Sequence, residues 1–206
     1  MSFVIALLGV KALYLLIAWM LAAIIAQDIS DMKAYGEKPG LATGLLLSFV
    51  AIIVWLAWPA KRGSAWDRRI KVPDLVLAVA ALVTVLSLLL TWYSGDVKYF
   101  DEAKFYDILL PLGAAVCFAH LHARGRGLER SWLGPVAVGG AVVAIALVVV
   151  QALDKPDGGS LALGFFICLV SSLVMLGAAL AALRADRTAG AATTMAEARS
   201  QAAGTA

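Results

Sequence analysis

The sequence is short of charge. Only 15% of its 206 residues are Asp, Glu, Lys or Arg, while 62% are hydrophobic and the mean hydropathy is +0.89. A soluble domain is about 25% charged and about 45–50% apolar, so this chain lacks the polar surface to wrap a water-soluble core of its size. That excludes disorder, a disulfide-rich secreted scaffold and almost any cytosolic enzyme fold. Cysteine is equally scarce. Cys117 and Cys168 lie in long apolar runs, outside any CxxC or Cys/His spacing, where a thiol behaves as a small apolar group. A disulfide between them would require two helices to bring them together. His120 and His122 are the only histidines. Two positions apart on a helix they point to nearly opposite sides, so they do not chelate one ion, and a bis-histidine haem has no second ligand on another helix. No Ser-His-Asp, HExxH, GxGxxG or P-loop pattern is present, and nothing supports a named reaction. The chain reads as non-enzymatic, without cofactor, metal or nucleic-acid partner.

Long apolar runs are what the sequence does have. A membrane crossing takes about 20 mostly apolar residues, and six stretches qualify or nearly so: 3–26, 41–59, 74–93, 107–122, 135–153 and 160–183. Pro39-Gly40, Pro59, Pro73, Gly134-Pro135 and Pro156 with Gly158-Gly159 punctuate them, as residues that end helices should. The fourth stretch is the weakest, being short and carrying Pro111 near its start. The run from Phe3 has no basic region before it and is longer than a signal-peptide core, so it reads as a retained first span.

Basic residues in short loops set orientation. Lys61, Arg62, Arg68, Arg69 and Lys71 fall in 60–73, Arg124, Arg126 and Arg130 in 122–134, and Arg184, Arg187 and Arg199 in the C-terminal tail. The intervening segments hold fewer: Lys33, Lys38, Lys98, Lys104 and Lys155. Asp28, Asp31, Glu37, Asp96, Asp101, Glu102, Asp107, Asp154 and Asp157 share that second side. The alternation predicts an all-α polytopic membrane bundle of six transmembrane helices with both termini cytoplasmic, in the cytoplasmic membrane of a bacterium. The chain divides into an N-terminal hairpin (1–59), a basic cytoplasmic linker (60–73), a four-helix block (74–183) and a cytoplasmic tail (184–206). Lacking apolar periodicity, the tail is expected to be helical at first and then disordered.

Several residues invite a role. Lys61, Arg62, Arg68, Arg69 and Lys71, with Trp66 among them, are placed to meet anionic lipid at the inner leaflet, or they only fix topology. Lys11 is a charge inside a span, a position that marks a pathway unless the long stem snorkels to the interface. Trp92 and Tyr93 close the third span at the headgroup level that aromatic rings prefer. With Asp96, Asp101 and Asp107 they form a candidate outer site. Asp74, just after Pro73, suits the positive end of a helix and reads as a cap. Ala22/Ala26, Gly140/Ala144 and Gly177/Ala181 are small pairs of the kind that let helices approach closely, either within the chain or against a membrane-protein partner.

The stretches LLLTWYSGD, YDILLPLGAA, VVVQALDKPDGG and GFFICLVSSLVMLGAAL resemble small four-span membrane proteins of actinobacteria, over residues 74–183. In that family a Trp-aromatic pair ends a helix, an Asp precedes the next span and a D-x-P turn precedes the last. Here these are Trp92-Tyr93, Asp107 and Asp154-Lys155-Pro156. The leading segment SDMKAYGEKPGLATGLLLS is similar to the first hairpin of other actinobacterial membrane proteins and to two-span superinfection-immunity proteins. The resemblance implies topology and no activity. Together these features favour a protein acting by helix packing, as an accessory or scaffold subunit of a larger membrane complex or an immunity-type blocker. The alternative is a small-solute-binding transport component whose outward-facing site uses the residues around Trp92.

Overall fold

The computed structural model describes residues 2–93, 97–98, 109–128, 132–153 and 160–204. The chain is helical almost throughout, in the order α1 (Ser2–Met32), α2 (Glu37–Leu47), α3 (Phe49–Ala57), α4 (Ala65–Arg69), α5 (Val72–Ser87), α6 (Leu109–Arg126), α7 (Leu133–Leu153) and α8 (Leu163–Gly204). Between α5 and α6, β1 (Thr91–Tyr93) pairs antiparallel with β2 (Val97–Lys98). The chain folds as two units, one of Met1–Ile70 with His122–Leu128 and one of Lys71–Leu121 with Glu129–Ala206.

In the first unit, the single span expected over 41–59 is instead two helices that reverse at Ser48. The Trp55 indole donates to Thr43 Oγ1 at 2.7 Å. On one continuous helix those residues would stand about 18 Å apart along the axis, so α3 must run back beside α2. Ser48 makes the reversal with φ 51 and ψ −127, a backbone region that L residues seldom occupy. α2 packs on α1 through glycine. A Cβ on Gly40 would lie 2.5 Å from the Ala26 carbonyl oxygen, and one on Gly44 2.5 Å from the Ala23 Cα, so the two backbones touch with no side chain between them. Hydropathy cannot distinguish this fold-back from a crossing. The consequence for the charge alternation is direct, because the segment after α1 and the segment after α3 meet: Lys33 Nζ donates to the Leu56 carbonyl at 3.0 Å.

The second unit is an antiparallel bundle of α5, α6, α7 and α8. Asp74 at the start of α5 pairs with His120 near the end of α6. Gly134 at the start of α7 faces Leu183 of α8, and Thr84 of α5 meets Ser171 of α8 at 2.8 Å. α6 and α7 approach most closely at Gly113 and Gly140, where a Cβ on Gly113 would lie 2.7 Å from the Gly140 carbonyl oxygen.

The second unit has two core clusters, one of large side chains (Leu88, Trp92, Tyr93, Leu110, Leu147, Val148, Phe165 and Cys168) and one built mainly from small ones. Ala80, Ala81, Ala114, Cys117, Ala137, Ala141, Ala144, Ala178 and Ala179 surround Leu77 and Met175. The large apolar residues of α7 and α8, among them Val136, Val142, Val149, Phe166, Leu173 and Leu180, face outward. Around the small-residue cluster this departs from a water-soluble bundle, where the larger apolar side chains are the ones removed from water. It suits helices surrounded by hydrocarbon, whose contacts depend on close backbone approach. Among the described residues, Leu133–Leu153 and Leu163–Thr188 are long and apolar enough to cross a membrane. α8 continues without a break to Gly204, so the tail expected to become disordered is helical through that residue. Its run of Ala with Glu and Arg favours helix even without an apolar stripe.

Candidate functional site

In the first unit the ends of three helices converge on one polar cluster. α1 closes with a Schellman motif: Tyr35 N–H donates to the Ser30 carbonyl at 3.0 Å and Ala34 N–H to the Asp31 carbonyl at 2.8 Å, with Ala34 at φ 64. α6 closes in the same way, Leu128 N–H donating to Ala123 at 2.8 Å and Gly127 N–H to Arg124 at 3.1 Å, with Gly127 at φ 72. Helix C-termini carry partial negative charge, and α1 adds Asp28 and Asp31 to its own.

The compensation comes from α6. His122 Nδ1 lies 2.6 Å from Asp28 Oδ2, and the Arg126 guanidinium bridges Asp28 Oδ1 at 3.0 Å and Asp31 Oδ2 at 2.7 Å. The spacing explains the match, since the i,i+3 carboxylates on α1 and the i,i+4 pair His122 and Arg126 on α6 each share a helix face. Partial burial pulls the Arg126 pKa down, but hydrogen bonds and charge attraction from Asp28 and Asp31 outweigh it and hold the pKa above its ordinary value.

Other cations serve carbonyl groups. Lys33, almost fully buried, donates to the Leu56 and Trp58 carbonyls at the end of α3 and lies 4.4 Å from the centre of the Trp66 ring. Burial lowers its pKa to about 8. Arg69 donates to the Gly125 carbonyl at 3.2 Å, at the end of α6. Lys61 sits over the Tyr35 ring at 4.6 Å, and Arg68 reaches the Ser64 carbonyl at 3.4 Å. Of the five basic residues expected at the lipid surface, Lys61, Arg62, Arg68, Arg69 and Lys71 are all exposed, yet three of them also hold the fold.

In the second unit, the sequence reading of Asp74 as a cap agrees with the geometry. Its Oδ2 accepts from Lys71 N–H at 2.8 Å. Its Oδ1 is also 3.6 Å from His120 Nε2, both side chains being buried. His120 faces Asp74 while His122 faces Asp28, so the two histidines point apart as their spacing requires.

The candidate outer site is not an open one. Trp92 and Tyr93 are fully buried. The Trp92 indole donates to the Ser87 carbonyl at 2.8 Å and stands edge-on to Phe165 at 5.9 Å. The Tyr93 hydroxyl reaches the Gln151 carbonyl at 3.1 Å and its side-chain Oε1 at 2.8 Å. Buried ring polar groups need such partners, and here the bundle supplies them. The pair therefore plugs the end of the bundle. Asp96, Asp101 and Asp107 lie outside the described residues, as does the side chain of Lys11. Cys117 and Cys168 are both free and buried, in different parts of the core. Among the described residues no group of three or more His, Cys, Asp or Glu is placed to hold a metal ion.

Sequence reasoning missed the contact of Asp28 and Asp31 with His122 and Arg126, because it put the two segments on opposite sides of a membrane. The signal was there in the paired spacings and opposite charges. No protein-family model, curated protein or solved structure matches the chain.

Proposed function

We propose that this chain is a multi-pass protein of a bacterial cytoplasmic membrane that works by helix packing, as an accessory or scaffold subunit or an immunity-type blocker. The observation that carries this reading is the outer face of α8. Two of the three small pairs are used within the chain: Ala22 and Ala26 are buried beside α2, and Gly140 and Ala144 beside α6. Gly177 and Ala181 are exposed, and a Cβ on Gly177 would meet nothing within 4 Å. They continue a line from Val170 and Val174, which border a shallow apolar groove between α5 and α8. An exposed small-residue strip continuing from such a groove lets another helix approach closely.

The outward-facing transport reading loses its aromatic pair, since Trp92 and Tyr93 are held inside by hydrogen bonds. Exposed Arg62, Arg68 and Lys71 support contact with anionic headgroups in the same proposal.

The test is purification in mild detergent after alkaline washing of the membranes. Retention in the washed pellet, with a stoichiometric membrane partner that Gly177→Leu releases while the variant still elutes as a folded species, supports the proposal. A chain that comes out alone and unaffected by Gly177→Leu removes the accessory-subunit version.

A further inference from the structure

The reversal at Ser48 leaves an apolar hairpin whose tip is exposed among the described residues. Leu46 is 83% exposed, and Leu45, Leu47, Val50, Ile53 and Val54 are exposed beside it. We propose that α2 and α3 form a re-entrant hairpin, which enters one leaflet, ends among its acyl chains and leaves by the same face. The proposal rests on the membrane reading and adds to it where this segment goes.

Length is the first argument. At 1.5 Å per residue, the 11 residues of α2 and the 9 of α3 give arms of about 16 and about 14 Å. The hydrocarbon core is about 30 Å thick, so the tip reaches about its middle and no farther. The second argument is the backbone. Backbone polar groups at that depth are costly without partners, and both of those of Ser48 have them within the hairpin. Ser48 N–H donates to the Gly44 carbonyl at 2.8 Å, and the Ser48 carbonyl accepts from Ala51 N–H at 3.0 Å.

The base of the hairpin is the opposite of its tip. Lys61 and Arg62 follow α3 and are exposed, with Arg68 near them in sequence, and half-exposed Trp58 stands between the apolar arm and these charges. An aromatic ring at the boundary with cations beyond it matches a headgroup layer with phosphate at its surface. Lys33 ties the two ends of the excursion together by donating to the Leu56 and Trp58 carbonyls. Residues 34–36 and 58–62 therefore share one membrane face, and the start of α1 lies toward the other.

The test uses the full chain in native membrane vesicles of known sidedness. Lys38→Cys and Arg62→Cys are each treated with a membrane-impermeant maleimide, the unsubstituted chain with its buried Cys117 and Cys168 serving as the blank. Leu46→Cys carries a nitroxide read by collision with oxygen and with a water-soluble nickel complex. Labelling of both Lys38→Cys and Arg62→Cys from one face only, with the Leu46 nitroxide open to oxygen and shielded from nickel, is the expected result. Labelling from opposite faces overturns the proposal and leaves a single crossing, with the membrane reading intact. A nitroxide open to nickel also overturns it, placing the tip in water. Dipolar broadening at the same position overturns it in favour of a second copy covering the tip. Loss of the whole chain to an alkaline wash would instead defeat the membrane reading itself.

Discussion

Asp28 and His122 are 94 residues apart in sequence, yet His122 Nδ1 lies 2.6 Å from Asp28 Oδ2. The contact joins the last turns of two helices, α1 and α6, each of which closes in a Schellman motif. Carboxylates near a helix C-terminus oppose the macrodipole, so Asp28 and Asp31 weaken α1 in isolation. Their positions make sense only with α6 in place.

Arg126 binds both carboxylates, and a double-mutant cycle between Arg126→Ala and Asp31→Ala is expected to return a coupling of about 1 kcal/mol, the upper range for partly exposed ion pairs. Asp28→Asn is expected to destabilise more than Asp31→Asn, because Asp28 faces His122 as well as Arg126. Thermal unfolding in detergent measures both.

Lys33 gives the fold a pH dependence on the alkaline side. Its pKa falls from 10.5 to about 8 through burial. Between those values the unfolded chain holds a proton that the folded chain has released, so stability rises with pH across that window and is flat below it. The neutral amine keeps two N–H groups for the same two carbonyls. Lys33→Met is expected to abolish the rise and to lower the unfolding midpoint at neutral pH, as a pH series of detergent melts will show.

Ala34 occupies the left-handed position that ends α1, at φ 64, where a Cβ is unfavourable by about 1 kcal/mol. Ala34→Gly is expected to stabilise the protein by up to about 1 kcal/mol, the wider freedom of glycine in the unfolded chain taking back part of the gain. A rise in unfolding midpoint is the readout, and no change would place the strain elsewhere.

Two glycines of neighbouring helices should respond oppositely to the same change. A Cβ on Gly113 would lie 2.7 Å from the Gly140 carbonyl oxygen, whereas a Cβ on Gly139 meets nothing within 4 Å. Gly113→Ala must push α6 from α7 and is expected to lose about 1–3 kcal/mol. Gly139→Ala gains helix propensity, up to about 1 kcal/mol. Melting curves of the two variants side by side decide the matter.

The ends of the second unit were legible in the sequence. Pro73-Asp74 and Gly134-Pro135 mark helix starts by local chemistry, and the opposed directions of His120 and His122 follow from helical periodicity alone. The fold-back at Ser48 was not legible. A 19-residue apolar window has the same hydropathy whether it crosses or returns. What decides between them is the fit of Gly40 and Gly44 against Ala26 and Ala23, a contact between distant parts of the chain. Counting charges on alternate loops then carried the error forward and set Asp28 apart from His122. The burial of Trp92 and Tyr93 was hidden for a related reason. Aromatics at the end of an apolar run look like interface anchors, and only the carbonyl of Ser87 and the side chain of Gln151 show that they turn inward.

The first unit is not continuous in sequence, since Met1–Ile70 is completed by His122–Leu128. That has a bearing on biogenesis. As the chain is made, α1 emerges before α2, so the Ala23 and Ala26 surface exists when Gly40 and Gly44 arrive. The acidic end of α1, however, has no His122 or Arg126 to meet until α5 and nearly all of α6 have been synthesised. The first helix to leave the ribosome thus waits for the sixth before its C-terminal end is latched, and a chain truncated before Arg126 would keep its hairpin but lose the latch that holds α1 at that end.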